Sequence, residues 1–335
     1  MAAAATRLRL VFCGTPEFAV PTLQALIVAG HDLRLVVSQP DRPAGRDRQV
    51  APTPVKRTAL EVGLPVIQPE TIRQNPEFRD RLEAAAPDAI VVVAYGRIIP
   101  PWMLSLPRLG CINLHASLLP KYRGAAPIQW AVAKGESEMG NTTMLLEEGL
   151  DTGPILMQRS HAIEPKQTAA ELFPMLAKAG APLVAETLDG LASGILHPRA
   201  QNEADATHAP MLTRDDGRMD FAGAIANEIY NRWRGFQPWP GAFTALNGKK
   251  LIVHRMAVAG ELGYGKAQRA QTGEVQVENG RMFAACAQDT WLELIEVQLE
   301  GKKRMAAAEF LRGTAGMSGA HLGDAGSRQA GNSQS

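Results

Sequence analysis

The sequence predicts an open, mostly parallel α/β sheet with helices on both faces, followed by a small antiparallel β-barrel. Two observations predict the sheet. Short β-rich runs alternate with helical segments over the first two thirds of the chain, and the run 88–96 (DAIVVVAYG) is apolar on both faces, as a central parallel strand is. After about residue 212, short β-runs separated by glycine-containing turns favour the barrel.

The elements of the α/β part can be assigned in chain order. The first strand, 8–14, ends in a glycine and leads into a helix that closes near Gly30, a suitable residue for a helix C-terminus. Asn75 and Pro76 are typical of a helix start. Further strands are predicted over 33–39, 111–117 and 141–148, and a further helix over 54–63.

Composition and periodicity predict the domain boundaries. Residues 1–190 form the first domain, and 191–212, which lose periodicity and gain His, Pro, Asn and Asp, form a linker. The barrel spans 213–315. Residues 316–335 are rich in Gly, Ser and Ala, and we expect a disordered tail.

Charge and cysteine content exclude several classes of protein. The formal net charge is +1, so the net charge of the protein provides no strong attraction for nucleic acid or membranes. No apolar run approaches the roughly 18 residues of a membrane span, and we expect a cytoplasmic protein. Cys13, Cys111 and Cys286 have no metal-ligand spacing, which predicts buried core residues in a reducing compartment and no metal site.

In dinucleotide-binding sheets the first strand-to-helix turn carries a glycine fingerprint. The segment 12–18 (FCGTPEF) has one glycine where the G-x-G-x-x-G fingerprint has three, so the backbone is poorly suited to a pyrophosphate. The sequence therefore predicts a Rossmann-like sheet but disfavours a nicotinamide-dependent dehydrogenase.

Three polar residues form the candidate catalytic group. Asn113 and His115 end a predicted strand, and residues two apart face the same side, beyond which open α/β sheets bind ligands. Asp151 lies between glycines in the loop 149–153. A single histidine is more often structural, but no Ser or Cys stands where a covalent nucleophile is expected. The combination suggests that the substrate supplies the nucleophile.

An ordered series of motifs carries a family resemblance. The segments NLHASLLPKYRGAAPIQWA and GLDTGPIL are joined by FCGTPEFAVPTLQAL, SQPDRPAGR, RGFQPWPGAFT and GKKRMAAAEFL. Together they cover about residues 8 to 313, and the chain resembles the folate-dependent formyltransferases, above all the branch that acts on a tRNA-borne amine.

The resemblance implies a reaction and its residues. The formyl group of the co-substrate 10-formyltetrahydrofolate would pass, without a metal, to the α-amine of initiator methionyl-tRNA. Asn113 would donate to the oxyanion, and His115 would either donate to the same oxygen or help to move a proton. Asp151 would favour the charged ring and orient it. The loop formed by Ser117, Leu118, Leu119 and Pro120 would bind folate. We expect a monomer.

Two regions would contact tRNA if the resemblance holds. The loop 39–54 is long for a strand-to-helix connection and carries Arg42, Arg46 and Arg48. The barrel, expected to be OB-like, would add Lys302, Lys303 and Arg304. An ordinary solvated surface is the alternative for both sets.

Two other functions stay open. One is a formyltransferase for a small amine, such as glycinamide ribonucleotide or an amino-sugar nucleotide. The other is a folate- or RNA-binding module without catalysis. The barrel and the long loop favour a macromolecular acceptor, and the intact Asn-His-Asp group disfavours a pure binder.

Overall fold

The computed structural model describes residues 7–44, 49–259, 270–314 and 316–323. Within these ranges no helix has both the length and the apolar composition required to cross a membrane. The chain forms two compact units. The first comprises Met1–Ile128, Ser137–Ile163 and Glu171–Pro210, and the second comprises Gln129–Glu136, Glu164–Ala170 and Met211–Ser335.

The first unit is built on a seven-stranded sheet. The neighbouring strands β5, β2, β1, β6 and β7 are parallel to one another, and β8 and β9 at one edge are antiparallel to their neighbours. The prediction of an open, mostly parallel sheet is confirmed. A separate two-stranded hairpin lies between β2 and the second helix. The sheet order is β5-β2-β1-β6-β7-β8-β9, and the strands are β1 (Arg9–Gly14), β2 (Asp32–Val37), β3 (Arg42–Ala44) and β4 (Gln49–Ala51) of the hairpin, β5 (Val66–Ile67), β6 (Ala89–Val93), β7 (Cys111–His115), β8 (Glu138–Leu145) and β9 (Ile155–Ala162).

Helices cover both faces of this sheet because successive strand side chains point to opposite sides. In β1, Leu10 and Phe12 pack in one core with α1, α2 and α6, whereas Val11 and Cys13 pack in another with α3 and α4. These helices, with α5, are α1 (Val20–Val28), α2 (Pro54–Glu61), α3 (Pro76–Ala85), α4 (Pro101–Leu104), α5 (Pro127–Ala133) and α6 (Ala169–Ala192).

The second unit contains an antiparallel sheet in the order β10-β11-β14-β13-β12, with β15 paired to β14. It forms a half-barrel, as the spacing of short β-runs predicts. Its core includes Leu251, Val253, Leu292 and Leu294, all nearly fully buried. The elements are α7 (Ala226–Gly235), β10 (Phe243–Leu246), β11 (Lys249–Val258), β12 (Val275–Glu278), β13 (Arg281–Ala285), β14 (Trp291–Leu299), β15 (Met305–Ala306) and α8 (Ala307–Arg312).

The start of the expected disordered tail is ordered. Residues 316–323 connect the two edges of the half-barrel: Leu322 N–H donates to Gly273 O (2.7 Å), and Gly323 N–H donates to Ala245 O (2.9 Å). Sheet edges present unpaired backbone groups that an extended segment can satisfy, and the side chains of Met317 and Leu322 are buried in the half-barrel core. The expectation of disorder is therefore wrong for 316–323, while 324–335 lie outside the described residues.

The expected linker also differs from its prediction. Helix α6 runs to Ala192, and residues up to Pro210 belong to the first unit. Arg199 exchanges two backbone hydrogen bonds with Ile155, both 2.8 Å long, and Ala209 N–H donates to Arg123 O (2.7 Å). We call residues 199–209 the support segment. Its sequence shows no helix or strand periodicity because the segment pairs with the first unit as irregular chain.

One ion cluster joins the amino ends of the central strands. Arg9, at the start of β1, hydrogen-bonds Asp88, which precedes β6, through its backbone N–H (2.9 Å) and its guanidinium. Arg108 Nε also donates to Asp88 (2.8 Å). The Arg9 guanidinium, with help from Arg108, holds the pKa of this carboxyl well below its ordinary 3.8.

The depressed pKa gives a pH-dependent contribution to stability. It is present above the ordinary value of 3.8 and is lost as pH falls below it. Asp88→Asn should lower the free energy of unfolding at pH 7 by about 1–2 kcal/mol, since solvent screens the half-exposed arginines. Urea unfolding from pH 7 to pH 3 should show the difference from wild type shrinking with acidity. Asp32→Asn, on an exposed pair with Arg34, is the control; a pH-independent Asp88 effect would contradict the assignment.

Candidate active site

Strand β7 carries two of the predicted catalytic residues, Asn113 and His115. Asn113 pairs with Val92 of parallel β6, and His115 pairs with Thr142 of antiparallel β8. His115 is only 6% exposed. Asn113 is half-buried, and none of the described residues hydrogen-bonds its side-chain amide. Its N–H groups are therefore available to a ligand.

Both ring nitrogens of His115 face a partner. Nε2 lies 2.9 Å from the carbonyl oxygen of Tyr122, and Nδ1 lies 3.7 Å from Oδ2 of Asp151. A carbonyl oxygen can only accept, so Nε2 carries a hydrogen. The 3.7 Å separation is too long for a direct hydrogen bond. Nδ1 is consequently the nitrogen whose protonation can change, and it faces the carboxylate.

Asp151 is held by the chain that follows β7. Gly124 N–H donates to its Oδ2 (2.9 Å), the same oxygen that faces His115. The backbone of Asp151 is left-handed, with φ of 54°, a conformation that Asp tolerates better than most residues. Gly124 has φ of 122°, and a Cβ there would meet Ala209 O at 2.7 Å, so only glycine fits. The structure brings His115 and Asp151 together, and Asn113 lies two residues from His115 on the same strand.

The loop 117–120 satisfies its carbonyl groups internally. Ser117 O accepts from Thr142 Oγ1 (2.6 Å), and Leu119 O accepts from Gln158 Nε2 (2.8 Å). Leu118 O and Pro120 O accept backbone N–H groups, of Lys121 and Thr207 respectively, at 3.1 and 3.3 Å.

The side chains of this loop differ in accessibility. Ser117 and Leu119 are buried, and Leu119 packs against Met144 and Ile155. Leu118 and Pro120 remain partly exposed. A ligand at this loop would therefore meet mainly the side chains of Leu118 and Pro120.

Sequence reasoning missed a buried polar group beside the site. Arg123 is 3% exposed and makes a two-pronged ion pair with Glu203, at 2.7 and 2.8 Å. Gln201 accepts from Arg123 and donates to Asp151 O and Gly153 O (2.8 and 2.7 Å). Arg123 lies in the motif KYRG, but Gln201 lies in the expected linker, where no pattern pointed to the site.

The residues predicted to contact tRNA fall into three groups. Arg42 is exposed in β3, whereas Arg46 and Arg48 lie outside the described residues. Lys302 and Lys303 are exposed in the turn between β14 and β15. The guanidinium of Arg304 pairs with Glu296, so its charge is already matched. Its availability to an anion is correspondingly lower than the sequence suggests.

The base of the hairpin that carries Arg42 is anchored by side chains. Lys56 pairs with Asp41, and Gln68 donates to the same carboxylate (2.6 Å) and to Gln39 O (2.7 Å). These bonds fix where the loop 39–54 leaves and rejoins the sheet.

The three cysteines are free and buried. Burial raises the pKa of Cys111 and Cys286 to about 12. The described ranges hold no group of three residues able to bind a metal ion. The site therefore offers hydrogen-bond donors and one proton-accepting ring.

The geometry predicts the tautomer of His115. At alkaline pH the neutral ring should carry its hydrogen on Nε2, because the Tyr122 carbonyl accepts it. The ¹⁵N chemical shifts of the imidazole nitrogens, assigned with His115→Gln, measure this directly. Exposed His197 serves as the comparison ring. A predominant Nδ1–H form at His115 would contradict the assignment.

Two family models match the chain in order. The formyl transferase model matches residues 8–188, and the formyl transferase C-terminal domain model matches residues 211–315. The methionyl-tRNA formyltransferase of Acidobacterium capsulatum is 64% identical over 306 residues, covering 91% of this chain and 96% of that protein. The methionyl-tRNA formyltransferase of Geobacter sulfurreducens is 46% identical, covering 96% of this chain and 98% of that protein.

Solved structures share the fold at low identity. The N-formyltransferase from Helicobacter canadensis, in complex with folinic acid and dTDP-3-aminofucose, superposes with a TM-score of 0.61 at 16% identity, covering 86% of this chain and 98% of that one. HypX from Aquifex aeolicus, in complex with tetrahydrofolic acid, gives 0.58 at 16% identity and covers 91% of this chain, which spans about half (47%) of HypX. Because both family models match and the curated relatives align over nearly their whole length, the chain belongs to the formyl transferase family, in the group of the methionyl-tRNA formyltransferases.

Proposed function

We propose that this protein transfers the formyl group of 10-formyltetrahydrofolate to the α-amino group of initiator methionyl-tRNA. One observation carries the proposal: the unengaged amide of Asn113 lies on the same strand face as His115, whose Nδ1 faces Asp151. The curated relatives, at up to 64% identity, support the choice of acceptor.

The attacking amine would form a bond to the formyl carbon and drive the electrons of the C=O bond onto oxygen. Asn113 would donate an amide N–H to that oxygen, which gains charge only as the transition state is approached. A donor placed in this way typically contributes about 10²–10³ in rate. The folate supplies the carbonyl; Asn113 supplies a fixed donor with no competing partner among the described residues.

Proton movement falls to His115. The amine must lose a proton as the new C–N bond forms. When the oxyanion re-forms the C=O bond, the bond between the formyl carbon and the folate nitrogen breaks, and that nitrogen must gain a proton, so no net proton is consumed. Nδ1 is the ring nitrogen able to exchange that proton, because Nε2 is bound to Tyr122 O. Asp151, 3.7 Å away, would stabilise the charged ring and keep its plane fixed.

The loop 117–120 is proposed to hold the folate. Its carbonyls already accept hydrogen bonds within the protein, so the proposed contacts are apolar and come from Leu118 and Pro120. Because these internal bonds hold the loop in place, it offers a rigid apolar surface. A flat aromatic ring system can pack against such a surface.

The tRNA is proposed to contact the loop 39–54 and the C-terminal half-barrel. Arg42, Lys302 and Lys303 are exposed cations there, and Arg46 and Arg48 are proposed to join them. Arg304 would act after releasing Glu296. We further propose a monomeric enzyme that works in the cytoplasm, where its aminoacyl-tRNA acceptor is made.

Formylation of methionyl-tRNA with 10-formyltetrahydrofolate tests the proposed reaction. Asn113→Ala, His115→Ala and Asp151→Ala should each lower kcat by about 10²-fold or more, because each removes a group that acts on the transition state. Asn75→Ala, which removes the N-terminal cap of α3, is the matched control and should lower stability but not kcat.

The same assay separates the alternatives. Small amine acceptors replace methionyl-tRNA in a parallel series. Efficient formylation of an amino-sugar nucleotide, with none of methionyl-tRNA, would overturn the proposed acceptor. Full activity of folded His115→Ala protein would overturn the proposed proton transfer.

A second test concerns Arg46. Arg46→Ala should weaken tRNA binding. The fall of log affinity with log salt should also become less steep, by up to about 0.9, because one phosphate contact is lost. Folate binding should not change. Arg57→Ala, which removes an exposed arginine of α2, is the control. Equal salt slopes for wild type and Arg46→Ala would count against a phosphate contact.

A further inference from the structure

Two donors reach the Asp151 loop from Gln201. Its Nε2 lies 2.8 Å from the carbonyl oxygen of Asp151 and 2.7 Å from that of Gly153. Both hydrogens of the side-chain amide are thus used on the residues that begin and end the tripeptide. The Asp151 backbone that it contacts is left-handed, with φ of 54°.

Arg123 determines which way the Gln201 amide points. Its Nε and Nη2 lie 3.0 and 2.8 Å from Oε1 of Gln201. A guanidinium only donates, so the oxygen of Gln201 must face Arg123 and the NH₂ group must face the Asp151 loop. Arg123 is itself fixed by Glu203 and by backbone bonds to Thr207 and Ala209.

The support segment is bound to the sheet independently of this contact. Arg199 pairs with Ile155 of β9 through two backbone bonds, and its guanidinium donates to Gln158 (3.2 Å). Gln201 therefore joins a sheet-anchored segment to a loop whose carboxylate must meet His115. The neighbouring Asn202 instead makes local bonds to Ala204 and Asp205.

We propose that Gln201 is a positioning residue for formyl transfer, oriented by Arg123, which sets Asp151 against His115. The inference rests on the proposed function and deepens it. Gln201 does not touch the reacting atoms; it acts through the Asp151 backbone. A displacement of about 1 Å at a catalytic group can lower the rate about 10²-fold.

Three variants test the role. Gln201→Ala removes the two donors and should lower kcat about 10- to 100-fold with little change in KM for either substrate. Gln201→Glu keeps an acceptor for Arg123 but sets a carboxylate against two carbonyl oxygens, so it should lower kcat in protein that is still folded at the assay temperature. Asn202→Ala, an amide of the same segment with two local bonds, should have normal kcat.

A double-mutant cycle identifies the route. In an Asp151→Ala background, single-turnover rates should fall no further when Gln201 is also replaced, since Gln201 acts only through Asp151. Additive losses would overturn the inference, as would normal kcat in Gln201→Glu protein. A loss that merely followed the unfolded fraction would assign Gln201 a structural role and overturn the inference too. If wild-type protein formylates no methionyl-tRNA, the proposed function fails first, and the two failures are thereby distinguished.

Discussion

The candidate active site depends on how Asp151 reaches His115 against the direction of the sheet. Strand β8 runs antiparallel to β7 and ends with Leu145 opposite Ile112, near the amino end of β7. His115 lies three residues further along β7, about 10 Å away at the usual strand rise of roughly 3.3 Å. The loop after β8 must therefore return towards His115. Two contacts hold it there: Gly124 N–H donates to the Asp151 carboxylate, and the Gln201 amide donates to the Asp151 carbonyl.

This constraint explains which residues the sequence could identify. Asn113 and His115 follow from strand periodicity and the rule that ligands lie beyond the carboxyl ends of parallel strands. Asp151 does not follow from that rule, because its strand is antiparallel; the GLDTG motif and the family resemblance identified it. Gln201 had no signal of either kind, since irregular chain carries no period. The sheet and the half-barrel were predictable because packing imposes periods. The segment 316–323 has no such period: it pairs with the sheet edges through backbone hydrogen bonds and adds Met317 and Leu322 to the half-barrel core.

Rigidity around the site comes from polar groups satisfied within the protein. Thr142 and Gln158, on the two antiparallel strands, bond the backbone of the loop 117–120. In the chain after it, the Arg123 guanidinium pairs with Glu203, and the Arg123 backbone bonds that of Thr207 and Ala209. Buried polar groups leave little freedom once each has its partner, because breaking a single bond exposes an unsatisfied group. The amide of Asn113 is the exception among these side chains, and it is the one assigned to a ligand.

The charges of the C-terminal half-barrel limit how it can recognise an anionic acceptor. Arg304 pairs with Glu296, and Arg281 makes a close pair with Glu293. Lys302 and Lys303 remain exposed beside them. With a formal net charge of +1, long-range attraction is weak. The charge-driven part of nucleic-acid affinity scales with the number of phosphates neutralised. Recognition of tRNA by the proposed enzyme must therefore depend on shape and on a few cations, at the loop 39–54 and at the turn between β14 and β15.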